Sequence, residues 1–279
     1  MAISAQLKAL VEQMPDPDQR DMYCTNIDKE KIERAVAEME KGGPENILGL
    51  IDMLLPPGEG DDVKAHYALH CLAVYVCKLP ERQHRRQFGE VLASQLGGSR
   101  PKAVQAYLCQ ELQVAGGPEA VPALGKLLLD DELCEPAAMA LAAIGDGAAE
   151  QFRAALATAR GKCRMTVIQN LGVLRDAQSV EALRQALADA DREIRILAAW
   201  GLANIGDAGS VDLLLKSADT QGWERIQNTK SCLLLAERLA AAGKTAEARK
   251  IYQHLNATRT QPHERYIREV AQRGLAAAK

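Results

Sequence analysis

LGVLRDAQSVEALRQALADADREIRILAAWGLANIGD, residues 171 to 207, opens on Leu171-x-x-Leu174-x-Asp176 and returns near its end to Leu202-x-x-Ile205-Gly206-Asp207. One structural unit closes there and the next begins, so the chain is an array. Anchored on the Leu before each loop, the copies fall at Leu112, Leu141, Leu171, Leu202 and, more loosely, Leu239, at intervals of 29, 30, 31 and 37 residues. A period in this range marks a solenoid, because one helical hairpin cannot bury its own apolar face.

The parts of each unit recur with the anchor. Gly116-Gly117, Gly145-Asp146, Arg175-Asp176, Gly206-Asp207 and Gly243-Lys244 follow it, and glycine just past a helix end supplies the left-handed residue that closes the helix. Ser179 and Ser210 then stand where an N-cap is expected and Pro118 where a first-turn proline is. A short helix follows, with apolar residues spaced by three and four: Val121/Leu124/Leu128, Ala149/Phe152/Leu156, Val180/Leu183/Leu187 and Val211/Leu214. After an acidic turn (Asp130-Asp131, or Asp189-Ala190-Asp191) comes a longer, Ala-rich second helix. In its clearest copy, Ile194, Leu197, Ala198, Gly201, Leu202 and Ile205 share a face.

The run EAVPALGKLLLDDELCEPAAMALAAIGD (residues 119 to 146) and its copy at 179 to 207 resemble HEAT repeats of the short variety found in phycobilin lyases. The resemblance spans residues 44 to 220, most specifically 112 to 218. It implies an all-α fold, an α-solenoid or α–α superhelix of stacked antiparallel helix pairs, with the second helices lining its concave side. It implies no reaction, since folds of this kind host many functions.

Outward from the array, the pattern predicts three parts. Residues 1 to 27 read as a polar lead-in with one short helix, residues 28 to 220 as the HEAT-like array, and residues 221 to 279 as capping helices. Within the array Asp28 caps a helix carrying Ile32, Ala35, Val36 and Met39, which Gly42-Gly43 closes before Pro44 starts the next. Residues 231 to 255, SCLLLAERLAAAGKTAEARKIYQHL, are similar to one tetratricopeptide hairpin through Ala246, Ala248, Tyr252 and Leu255. The final helix offers Tyr266, Val270 and Leu275 for burial, with charges facing outward as a terminal cap requires.

Composition narrows the function. Aromatic residues make up 4% of the chain and the net charge is −3; this suits small-residue helix packing and argues against a general nucleic-acid or membrane-surface binder. No apolar run reaches the length of a membrane span. The start lacks the basic stretch and apolar core of a signal peptide. Seven cysteines, none in a CxxC pair, stand mostly in apolar helical stretches and point to a reducing, cytoplasmic setting.

Four groups of residues are candidates for chemistry or recognition. Asp62, His66 and His70 repeat at one helical turn and could offer three metal ligands from one face; the plainer reading makes His70 a hydrogen-bonded interface residue. Arg82, His84, Arg85 and Arg86 form a basic turn suited to phosphate or an acidic partner, or simply a solvated face. Registration places Gln110, Met139, Gln169 and Trp200 two residues before their anchors, and Arg164 and Arg195 seven before theirs. Trp200, Gln169, Arg195 and Arg164 would then share one ridge of the second-helix surface, of a composition enriched at binding hot spots. The plainer reading has Trp200 covering the core and Arg195 paired with Asp191. No phosphate-cradling glycine loop, Gly-x-Ser-x-Gly or His-Glu-x-x-His motif is present.

The expectation is a non-catalytic scaffold, without a cofactor and monomeric, that recruits a protein or peptide along the second-helix face. Two other readings stand beside it: a factor resembling phycobilin lyases, and a nucleic-acid enzyme similar to helical-repeat alkylpurine DNA glycosylases, with Trp200 and Asp191 near an extruded base. The acidic balance weighs against the last.

Overall fold

The computed structural model describes residues 3–18 and 24–277, in which sixteen α-helices are joined by short turns and one two-residue strand pair, β1 (Asp16–Pro17) with β2 (Cys24–Thr25). The helices segregate into two units, Met1–Gln151 and Phe152–Lys279. The division falls inside the repeat array rather than at either end of it. In each unit helical hairpins stack side by side, the α-solenoid arrangement that the repeat period requires.

The N-terminal unit holds α1 (Ala5–Val11), α2 (Lys29–Lys41), α3 (Gly43–Asp52), α4 (Val63–Val76), α5 (Arg82–Ser94), α6 (Lys102–Ala115), α7 (Val121–Leu127) and α8 (Cys134–Ile144), and α9 (Ala148–Leu156) begins in it. Helices α2, α4, α6 and α8 pack in succession as one layer, and α3, α5 and α7 as the other. Leu69, Leu72, Phe88, Leu92, Leu108, Leu112, Leu124 and Leu141 are sealed between them. Asp28 caps α2 as expected, its side chain accepting from the Lys31 N–H at 3.0 Å. The segment read as a polar lead-in is instead part of this core. Leu7, Leu10, Val11 and Met14 are buried, and Leu7 sits so close over Gly49 that a Cβ there would come within 2.5 Å of its Cδ2. Three buried residues, Leu7, Leu10 and Val11, within one seven-residue helix are too few to stand out as periodicity.

The C-terminal unit holds α10 (Gly161–Val173), α11 (Val180–Ala186), α12 (Arg192–Ile205), α13 (Val211–Ala218), α14 (Gly222–Ala241), α15 (Thr245–Thr258) and α16 (Arg265–Ala277). Helices α10, α12 and α14 form one layer; α11 backs α12, and α13 backs α14. Leu183, Leu202, Leu214, Leu235, Leu239, Ile251 and Leu255 form a continuous core. Gly172 and Gly201 let α10 and α12 touch: a Cβ on Gly172 would lie 2.8 Å from the Gly201 Cα and from the Trp200 ring. Of the face first read, Ile194, Ala198, Gly201 and Leu202 are buried and Leu197 and Ile205 half-buried; Ile196, Ala199 and Ala203 are buried as well, because α12 is packed by a helix on either side and by α11 behind.

Two local readings change. Ser179 and Ser210 stand at the N-cap positions of the next helices, as expected, but make no side-chain capping bond there; each ends a short 3-10 turn, Ala177–Ser179 or Ala208–Ser210, that starts at Asp176 or Asp207. The buried serine hydroxyls reach back to them, Ser179 Oγ to the Asp176 carbonyl at 2.7 Å and Ser210 Oγ to the Asp207 carboxylate. In α16, Ile267 and Ala271 are the buried positions and Tyr266 is 55% exposed. Val270 and Leu275, the other two residues expected to be buried, are half-buried.

Candidate functional site

Helix α4 puts His66 and His70 on neighbouring turns, and the adjacent α6 puts Tyr107 and Glu111 opposite them. Glu111 is 2% exposed, and its carboxylate faces His70, whose Nδ1 lies 3.2 Å from each of the two oxygens. The Tyr107 hydroxyl donates to the His66 carbonyl at 2.7 Å, and the two rings meet edge to face at 4.1 Å. His66 Nε2 is 3.0 Å from Asp62 Oδ2, which also accepts the Leu55 N–H at 2.7 Å. The three residues considered as metal ligands therefore part company: Asp62 and His66 pair with each other, and His70 turns to Glu111. Among the described residues no group of three His, Cys, Asp or Glu side chains is placed to hold a metal ion.

Burial pushes the Glu111 carboxyl above its ordinary value, against the pull of His70, and burial likewise raises the Tyr107 hydroxyl. Beside Glu111 an open groove of about 670 Å³ runs along α6 and α8. His70, Tyr107 and Glu111 form one wall, Glu132 and Glu135 the other, and Val114 and Met139 stand exposed by 39% and 54%. Sequence reading noticed His70 and Met139 but not Glu111, which looked like an ordinary helix-surface glutamate. Its signal was its place one residue before the Leu112 anchor, where the next three repeats carry apolar or polar uncharged residues: Ala140, Asn170 and Gly201.

A second groove, of about 990 Å³, lies between α5 and the loop after α6, against Arg82, Arg85, Arg86, Glu90 and Glu119. Its arginines are largely engaged. Arg85 donates to the Ala115 and Gly116 carbonyls at 3.1 and 2.6 Å, satisfying the end of α6, and Arg86 pairs with Glu90 at 2.8 Å. With Glu90 and Glu119 also present, this groove is weakly charged, and its size does not make it the better candidate.

In the C-terminal unit the ridge expected from registration is built differently. Gln169 is exposed and Trp200 half-buried, its ring lying over Gly172. Arg164 and Arg195 point at the next repeat. Arg164 Nη2 meets Asp189 Oδ2 at 2.9 Å, and Arg195 grips Glu224 with two parallel bonds of 2.8 and 2.7 Å while Nη1 donates to the Asp189 carbonyl. Asp191 is not its hydrogen-bonding partner but caps α12. Arg225 repeats the arrangement with Glu264 at 2.8 Å. On the other layer, Arg153 reaches Asp176 at 2.6 Å and Arg184 reaches Asp207 at 2.7 Å. The arginines are ties between repeats. The more exposed tryptophan is Trp223, at 51%.

Four of these ties, Arg153–Asp176, Arg164–Asp189, Arg184–Asp207 and Arg195–Glu224, lie within the stretch that sequence comparison picks out. Residues 149–233 match a family model described as HEAT repeats. This stretch is a run of HEAT repeats. No curated protein matches the chain. Among solved structures, an engineered protein is 22% identical with a TM-score of 0.49, over 98% of this chain and 78% of that one. The complex of CpcE and CpcF of phycocyanin lyase from Nostoc sp. PCC7120 is 17% identical with a TM-score of 0.43, over 82% and 94%. Human deoxyhypusine hydroxylase is 16% identical with a TM-score of 0.34, over 98% and 96%. No helix among the described residues is long and apolar enough to cross a membrane.

Proposed function

We propose that this chain is a non-catalytic HEAT-repeat scaffold that recruits a protein or peptide through its second-helix layer, and that the working face is the groove along α6 and α8. The observation that carries the reading is an open groove in which two apolar side chains, Val114 and Met139, stand exposed beside buried, hydrogen-bonded polar groups. Apolar residues framed by oriented polar groups are how protein surfaces hold a partner. The carboxylates around the groove and the net charge of −3 favour a protein over a nucleic acid. Arg153, Arg164, Arg184, Arg195 and Arg225 contribute to stacking, since each already has its carboxylate.

The test is affinity capture with the full chain, comparing wild type with Val114→Glu/Met139→Glu and with Gln169→Glu/Trp200→Ala. Loss of the captured partner with the first pair alone is the expected result. Loss with the second pair alone would move the working face to α10 and α12 and overturn the placement.

A further inference from the structure

The groove beside Glu111 carries information about what it receives. Glu111 is a nearly fully buried carboxylate, and a buried carboxylate is held in place by a cation or by several donors. Here the facing groups are the Tyr107 hydroxyl, which also donates to the His66 carbonyl, and His70, whose side chain is 52% exposed while that of Glu111 is 3% exposed. One imidazole N–H is shared between two oxygens at 3.2 Å each, long for a charge-assisted bond, which settles near 2.7–2.9 Å. A planar fork of two N–H groups would satisfy both oxygens at once, and that is what a guanidinium offers. The other ionisable groups lining the groove are Tyr107, Glu132 and Glu135; among the described residues no lysine or arginine lines it. Its field is therefore negative, and the exposed His70 ring has room to swing aside. Val114 stands one turn along α6 from Glu111 and therefore on the same face, with Met139 exposed on α8.

We propose that the groove receives an arginine side chain of the partner, which displaces His70 and takes Glu111 as a two-bonded ion pair while an adjacent apolar side chain of the partner packs on Val114 and Met139. This rests on the scaffold reading and specifies the partner's chemistry. An exposed carboxylate cluster would attract any cation; a buried carboxylate at the side of an apolar-lined groove selects a long, planar, weakly hydrated one.

The test uses an array of twelve-residue peptides, each holding one arginine beside a leucine, every peptide paired with a twin in which citrulline replaces arginine with nearly the same shape and no charge. The full chain is expected to bind a subset of the arginine peptides at least tenfold more tightly than their twins. Glu111→Gln is expected to erase that difference. His70→Ala is expected to tighten the same peptides about threefold or more by removing the competing donor, an effect that a purely structural histidine would not give. Equal binding of arginine and citrulline peptides, or no binding of either, overturns the proposal. So does an undiminished preference in Glu111→Gln of native helical content; should that variant fail to fold, weaker or unchanged binding by His70→Ala decides against it. If capture depends on Val114 and Met139 while the peptides show no arginine preference, this inference fails and the scaffold stands; if capture ignores both residues, the scaffold face itself is misplaced.

Discussion

Arg175 holds a φ of +53° at the position where the neighbouring repeats use Gly145 at +77° and Gly206 at +82°. The hydrogen bonds of the turn are made all the same, with the Asp176 N–H donating to the Leu171 carbonyl at 3.1 Å as the Asp207 N–H does to Leu202 at 3.3 Å. The left-handed region costs a side-chain-bearing residue about 1–2 kcal/mol, and glycine gives back part of that saving through its looser unfolded chain. Arg175→Gly is therefore expected to stabilise the protein by roughly 0.5–1 kcal/mol, read as a higher midpoint in thermal unfolding. The sequence alignment already set Arg175 among the glycines, so its conformation was legible, whereas the environments of Glu111 and Arg259 were not. Arg259 is fully buried, with Nε on Thr229 Oγ1 at 3.1 Å, Nη1 on Asp219 Oδ1 at 3.2 Å and Nη2 on the Ala218 carbonyl at 2.7 Å. Nothing local distinguishes a buried charge from a surface one, because what buries it arrives from elements thirty to forty residues away.

Among elements, the helices and their order were legible because apolar spacing, glycine stops and the repeat period all agree. Side-chain pairing between them was not, since Arg164 and Arg225 show no acid at the usual helical spacing and the one beside Arg195, Asp191, caps α12 instead. The acids that take them, Asp189, Glu224 and Glu264, lie 25, 29 and 39 residues on. This ladder has a consequence for pH. The hydrogen bond from Arg195 is the largest influence on Glu224 and holds its carboxyl below the ordinary value of 4.5. A depressed folded value means that the pair's contribution is present above the unfolded value and lost as the pH falls through the lower folded one. Arg195→Ala is expected to raise the pH at which acid unfolding of α12 and α14 begins. Tracking the helical signal during acid titration checks this, and identical midpoints for variant and wild type would show that the bond between α12 and α14 contributes nothing. Glu111 has the opposite sign. Burial raises its folded value, so its contribution is present below the unfolded value and is lost as the pH rises through the raised folded one. Glu111→Gln is expected to leave the acid limb unchanged and to slow amide exchange in α4 and α6 at neutral pH, which equal exchange in the two proteins would contradict. A site that keeps a carboxylate at a cost to stability is one where a partner can repay it.

At the scale of the molecule, each unit closes its own core and ties its own repeats, and the two differ in what they leave open. The C-terminal unit uses its second-helix arginines internally. The N-terminal unit keeps a groove with exposed Val114 and Met139 and a single half-exposed histidine over a buried acid. The repeat pattern pointed to a second-helix face; it could not say which unit's face, because free and committed arginines look alike in one dimension. The most direct measurement is amide hydrogen exchange of the full chain with and without its captured partner. The account predicts slowed exchange in residues 102–115 and 134–144, with α10, α12 and α14 unchanged. Slowing confined to α10, α12 and α14 would contradict it.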